Sequence, residues 1–128
     1  MTILYYSLFV ALLLPYVAKV PVAWAMNKKG GYDNKHPRAQ QSTLTGIGAR
    51  ALAAHQNAFE SLIIFVPAVL LAITTNNDST SMITLAVVHV IARVLYNILY
   101  LINLSTLRSL SWAVATVASF TMLFLQIP

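Results

Sequence analysis

Arg50, Asn57 and Glu60 fall in one otherwise apolar run, and Arg93, Tyr96 and Tyr100 fall in another, which Arg108 follows. Guanidinium, amide, carboxylate and phenol groups bind anions and ammonium groups through directed hydrogen bonds. They do not make a metal site. The chain has three His and no Cys; His36 sits in a polar stretch, and His55 lies about 140° around a helix from Arg50. Without cysteine there is no disulfide, thiolate zinc site, iron–sulfur cluster or cysteine nucleophile, so sulfur chemistry needs a thiol brought by a substrate. No serine stands with a histidine base and an acid, which argues against a hydrolase. A proton or ion path would have Glu60 alone to work with, a short relay.

These groups matter because of where they lie. Hydrophobic residues make up 59% of the 128, charged residues 9%, and mean hydropathy is +0.74. A soluble domain needs roughly a quarter of its residues charged, and disorder needs lower apolar content still. The solvent is therefore lipid. The net charge of +5 comes from only eight Lys and Arg, several inside apolar runs; it reads as topology bias rather than nucleic-acid binding.

Four spans are expected, at about 3–26, 46–73, 81–104 and 107–126, in a single domain covering 1–128. A polar stretch from Asn27 to Thr45 follows the first, Thr74 to Thr80 forms a short turn, and a tight turn lies around Leu104, Ser105 and Thr106. Because the backbone must satisfy its own hydrogen bonds in lipid, the fold class is an all-α integral membrane protein, an up-down-up-down four-helix bundle. Ala23-Trp24-Ala25 has the form of a signal-peptide cleavage site, but no basic residue precedes the run and Lys28 and Lys29 follow it, so the segment reads as a retained span. Lys28, Lys29, Lys35 and Arg38 put the first connection on the cytoplasmic side, and the second has no Lys or Arg. Both termini then face the non-cytoplasmic side, as in a bacterial inner membrane protein.

Ionisable residues inside a span are costly and face protein or water. At 100° per residue, Arg50, Ala53, Ala54, Asn57, Glu60 and Ser61 share a sector of about 120°, and so do His89, Arg93, Tyr96, Asn97, Tyr100 and Asn103 on the next helix. Two polar stripes imply a shared wet crevice. Singly, His89 or Asn97 reads as an interhelical hydrogen-bond seam; two Arg and two Tyr are more than a seam requires. Lys19 and Glu60 lie at similar depths and are expected either to pair, so that both stay charged, or to leave Lys19 snorkelling to the interface.

The run from Arg50 through Asn57 to Glu60, then Arg93, Tyr96 and Tyr100, then Arg108-Ser109, resembles the MAPEG family, the membrane-associated proteins of eicosanoid and glutathione metabolism. The likeness covers nearly the whole chain, which resembles a bacterial-type member similar to microsomal glutathione transferase. It implies a homotrimer with glutathione, as co-substrate, between protomers near the cytoplasmic half of the membrane. Carried over, Arg50, Asn57 and Glu60 match positions that hold the tripeptide, Glu60 at its amino group, while Arg93 and Tyr96 line the same site. Arg108 matches the arginine that stabilises the sulfur anion, with Tyr100 beside it, and Lys28 and Lys29 stand where relatives place arginines. Ala53 departs from the pattern, since many eukaryotic members have a second arginine there. A guanidinium at a helix N-terminus would favour thiolate over thiol, which suits Arg108. The expected activity is glutathione-dependent transfer to apolar electrophiles, or reduction of lipid hydroperoxides. The alternative is a non-catalytic lipid-binding or partner-binding protein of the same fold. Implied partners are membrane lipid, glutathione, an apolar substrate and further copies of the chain, with no metal and no nucleic acid.

Overall fold

The computed structural model describes residues 1–128. Five helices follow in order: α1 (Thr2–Lys28), α2 (Pro37–Ser42), α3 (Gly46–Thr74), α4 (Thr80–Leu101) and α5 (Ser105–Phe124). All but α2 are long and apolar enough to cross a membrane, and the short connections run them up-down-up-down.

On α1 the buried residues are Leu4, Ser7, Ala11, Pro15, Ala18, Val22 and Met26. Their spacing of three and four draws one seam along the helix. The facing side of α3 is small, with Ala51, Ala54 and Ala58 buried, as expected where lipid gives no hydrophobic drive and close packing must hold helices together. A Cβ built on Gly48 would stand 3.0 Å from the Ala25 Cβ, so glycine is what lets α1 and α3 meet there. Pro15 and Pro21 lie inside α1 without ending it, and His55 Nδ1 lies 2.8 Å from the Pro15 carbonyl, tying the two helices. His55 is thus a structural residue. Large apolar side chains such as Tyr6, Tyr16, Ile63 and Phe124 point outward to what must be lipid.

Three features depart from the sequence reading. The stretch between the first two spans is not all loop: Pro37 opens α2, its fixed φ suiting a first turn. Gln40 Nε2 donates to the carbonyls of Gly31 (2.7 Å) and Met26 (3.2 Å), folding that stretch against the end of α1. Next, α4 stops at Leu101 and α5 starts at Ser105, so the turn is Ile102 to Leu104. Asn103 makes it with φ of 62°, a left-handed conformation that asparagine tolerates. It is a turn residue and not part of a polar stripe.

α5 packs on α4 and α3, α1 packs on α3 and α4, and α1 and α5 do not touch. That arrangement leaves one face of the bundle, between α3, α4 and α5, free of α1.

Candidate functional site

On this face is a cavity of about 170 Å³. From α3 come Asn57, Glu60, Ser61 and Ile64; from α4, His89 and Arg93; from α5, Trp112, Ala115, Thr116 and Ser119. Both arginine and histidine are 2% exposed. The contacts join in a line. Arg93 Nη2 donates to Asn57 Oδ1 at 2.7 Å and to the Asn57 carbonyl at 3.0 Å, and Asn57 Nδ2 donates to Glu60 Oε2 at 2.8 Å. In the other direction the Arg93 guanidinium lies 4.3 Å from the Tyr96 ring centroid, Tyr96 meets Tyr100 edge-on at 5.5 Å, and Arg108 lies 4.3 Å over Tyr100. Arg108, Tyr100, Tyr96, Arg93, Asn57 and Glu60 therefore form one wall running from the turn between α4 and α5 to mid-span.

Asn57 works as a hinge of this wall because its amide is both acceptor and donor, so it passes polarity from a cation to an anion without the two touching. Cation–π contact is stronger where water is excluded, which suits Arg93 over Tyr96. Arg108 is in the first turn of α5, whose N-cap Leu104 supplies no side-chain hydrogen bond. The first N–H groups of that helix are left as a positive end beside the guanidinium.

Other expected site residues are placed elsewhere. Arg50 Nε donates to the Leu101 carbonyl at 3.2 Å, closing the end of α4. Asn97 faces a crevice with Leu14, Val17 and Ala18 of α1. Lys28 lies over the Trp24 ring at 4.2 Å and Lys29 donates to the Thr43 carbonyl. Both belong to the α1 end, which does not reach α5 in one protomer. The expected pairing of Lys19 with Glu60 is not made within the chain, whose ion pairs are Met1 with Asp78 and His36 with Asp33. Their depths are less alike than the chain suggested, and their directions differ as well. Glu60 borders the cavity lined by α3, α4 and α5, and Lys19 is on α1 outside it.

The sequence reading had the fourth span and Arg108 but missed the rest of what α5 brings to the cavity, Trp112, Ala115, Thr116 and Ser119. Arg108, Trp112, Ala115 and Ser119 recur at four, three and four residues, the spacing of one helical face, and that periodicity was the available signal. It also missed a serine beside a histidine. Ser119 Oγ is 2.8 Å from His89 Nδ1, and both groups lie 3.0 Å from the Ala115 carbonyl. A carbonyl only accepts, so Nδ1 carries the ring proton and cannot act as base toward Ser119. No acid touches the ring, and a nucleophilic triad is still absent. Phe65 stacks on His89 at 3.8 Å, which fixes the ring further. Among buried polar atoms, His89 Nε2 and Arg93 Nε have no partner.

Four antiparallel spans with a polar cavity at mid-depth define an integral, multi-pass membrane protein. The chain belongs to the MAPEG family, whose family model matches residues 3–127. Membership places it among the membrane proteins of glutathione and eicosanoid metabolism. Neither curated proteins nor solved structures give a match, and no cluster of side chains suited to a metal ion is present.

Proposed function

We propose that the protein is a membrane-bound glutathione-dependent transferase or peroxidase acting on apolar electrophiles or lipid hydroperoxides. The observation that carries this reading is the continuous wall from Arg108 to Glu60. It offers a fixed cation at one end and a carboxylate at the other, as a tripeptide with a thiol and a free amino group requires. Glu60 takes the ammonium, Asn57 stands beside it, and Arg93 is a positioning residue that holds Asn57. Tyr96 lies between. At the other end Arg108 and the open N-terminus of α5 hold the sulfur as thiolate, with Tyr100 under the guanidinium. A thiol of ordinary pKa, about 8.5, is mostly protonated at neutral pH, so a nearby cation raises the reactive fraction. The thiolate then attacks the electrophilic carbon and expels its leaving group as an anion, or attacks the terminal oxygen of a hydroperoxide, breaking the O–O bond to give the alcohol and a sulfenic acid that a second glutathione converts to the disulfide and water.

An apolar groove of about 470 Å³ between α4 and α5, lined by Leu95, Leu99, Leu107 and Leu110 among others, lies on the outer side of these two helices, away from the polar wall. It suits a lipid chain. Lys28 and Lys29 join the site only from a neighbouring copy, because α1 and α5 of one protomer do not touch. That supports a homotrimer with sites between protomers, and Arg50 sits at the same cytoplasmic end. The basic first connection supports both termini on the non-cytoplasmic side of a bacterial inner membrane. Ala53 favours a second reading, a lipid-binding protein of the same fold, since it removes a cation that would hold a glutathione carboxylate.

The test is the ultraviolet difference spectrum of the purified protein with glutathione, where a thiolate band reports binding and activation together. Arg108→Leu should abolish the band and conjugation to an apolar electrophile without loss of fold. Tyr100→Phe should do less, because charge-assisted hydrogen bonds are about twice as strong as neutral ones. Turnover by Arg108→Leu equal to wild type would refute the enzyme reading in favour of the lipid-binding one.

A further inference from the structure

The acids of this chain are Asp33, Glu60 and Asp78. Two have a cation at hand: Asp78 accepts from the N-terminal ammonium at 2.6 Å, and Asp33 lies 3.8 Å from His36 Nδ1. Glu60 has none within ion-pair distance, although it is the acid inside a span and is exposed on the protomer's side. The nearby guanidinium of Arg93 is engaged with Asn57 instead. On α1 a complementary misfit appears. Lys19 is half-buried within the span and makes no ion pair. A bare charge at mid-bilayer is costly, and charges there pair or face water.

Both residues can be placed in depth from one contact. Ala25 and Gly48 touch and are therefore level. Lys19 lies six residues outward from Ala25 and Glu60 twelve outward from Gly48, so at about 1.5 Å per residue their backbones differ in depth by about 9 Å. Side chains lean toward the N-terminus of their own helix. α1 and α3 are antiparallel, so Lys19 leans away from the basic connection and Glu60 leans toward it, and the extended lysine chain covers most of the gap. Snorkelling to the cytoplasmic interface would run Lys19 against that lean. Within one protomer the two cannot meet, since Glu60 borders the face that α1 never reaches.

We propose that in the ligand-free assembly Lys19 of one protomer pairs with Glu60 of the next. Each copy seats its α1 on the neighbour's face between α3, α4 and α5. Residues Lys19 and Glu60 are on different faces of the chain, so the contact is heterologous, and rotation about the membrane normal keeps depths equal and closes a ring. The same seating brings Lys28 and Lys29, nine and ten residues further along α1, toward the neighbour's Arg108 end. The inference rests on the oligomeric part of the proposed function and not on its thiol chemistry.

The absence of native cysteine makes the test direct. Lys19→Cys and Glu60→Cys are put on separate copies with different tags, co-expressed, and treated in membranes with a short bismaleimide. A covalent dimer carrying both tags is expected, and none from Lys19→Cys with Asp78→Cys, where the depths differ. As a second measurement, Lys19→Glu or Glu60→Lys should each raise the monomer fraction in mild detergent by about tenfold or more, and the exchanged double variant should recover the oligomer. An intramolecular product from the double-cysteine chain would overturn the proposal. So would a missing mixed-tag dimer in a protein that native mass spectrometry finds trimeric, which would leave the trimer standing. Monomers alone would refute both.

Discussion

Replacing Arg93 by Met keeps most of the side-chain volume and removes the charge, which isolates what the guanidinium contributes. Arg93 is 2% exposed and gives two hydrogen bonds to Asn57, at 2.7 and 3.0 Å, besides its contact with Tyr96. Hydrogen bonds to charged groups contribute about 1.5–3 kcal/mol each, or roughly 3–6 kcal/mol gross for the two. Against this, methionine ends the cost of keeping a guanidinium out of water, and Arg93 Nε was already without a partner. A net loss of about 2–4 kcal/mol follows, most of it because Asn57 Oδ1 is orphaned in the wall. Asn57→Leu alone should cost about 1–3 kcal/mol for the reverse reason, an unsatisfied buried donor. Made together, the two changes leave neither partner stranded, so the double variant should be more stable than the sum of the singles by about 1.5–3 kcal/mol. The assay is unfolding of the purified protein in mild detergent by all four members of the cycle. Additivity within about 0.5 kcal/mol would mean that the hydrogen bonds between α4 and α3 do not couple these residues, and the wall would lose its middle.

Two further outcomes concern the helices that hold the wall. Gly48→Val should destabilise by about 1–3 kcal/mol, because its Cβ meets Ala25 at 3.0 Å and Leu44 at 3.3 Å, and overpacking forces the helices apart; an unchanged thermal midpoint would contradict the close approach. His89→Phe keeps the stack on Phe65 and loses the bond to the Ala115 carbonyl, so it should cost about 1 kcal/mol, whereas His89→Ala should cost about 2–4 kcal/mol by opening a cavity as well. Equal losses from both would show that packing against Phe65 contributes little.

The membrane and the helices were legible in the chain because they depend on sums and on local periods. Apolar content, the length of the runs and the positions of Lys28, Lys29, Lys35 and Arg38 set four spans before any contact is known. The family too was readable, since Arg50, Asn57, Glu60, Arg93, Tyr96, Tyr100 and Arg108 keep a spacing along the chain. Periodicity put Asn57, Glu60, His89 and Arg93 on the faces that line the cavity, but it grouped Arg50, Asn97 and Asn103 with them, and these lie elsewhere. It could not say which faces meet. That is set by the rotation of each helix about its axis, which follows from packing such as Ala25 against Gly48 and His55 against Pro15. So the depth of Lys19 relative to Glu60 could be counted only roughly from the sequence, and their pairing within a chain not at all, because α1 occupies the opposite side of α3. The same holds for α5. Its cavity-lining stripe of Trp112, Ala115 and Ser119, in line with Arg108, becomes meaningful only when α5 lies across α3 and α4. Arg50 and His55 show the converse: each is a polar residue in a span, and only tertiary structure turned them into a cap for α4 and a tie to α1. Local sequence fixes what a helix offers on each side; the partner on that side is a property of the packed bundle.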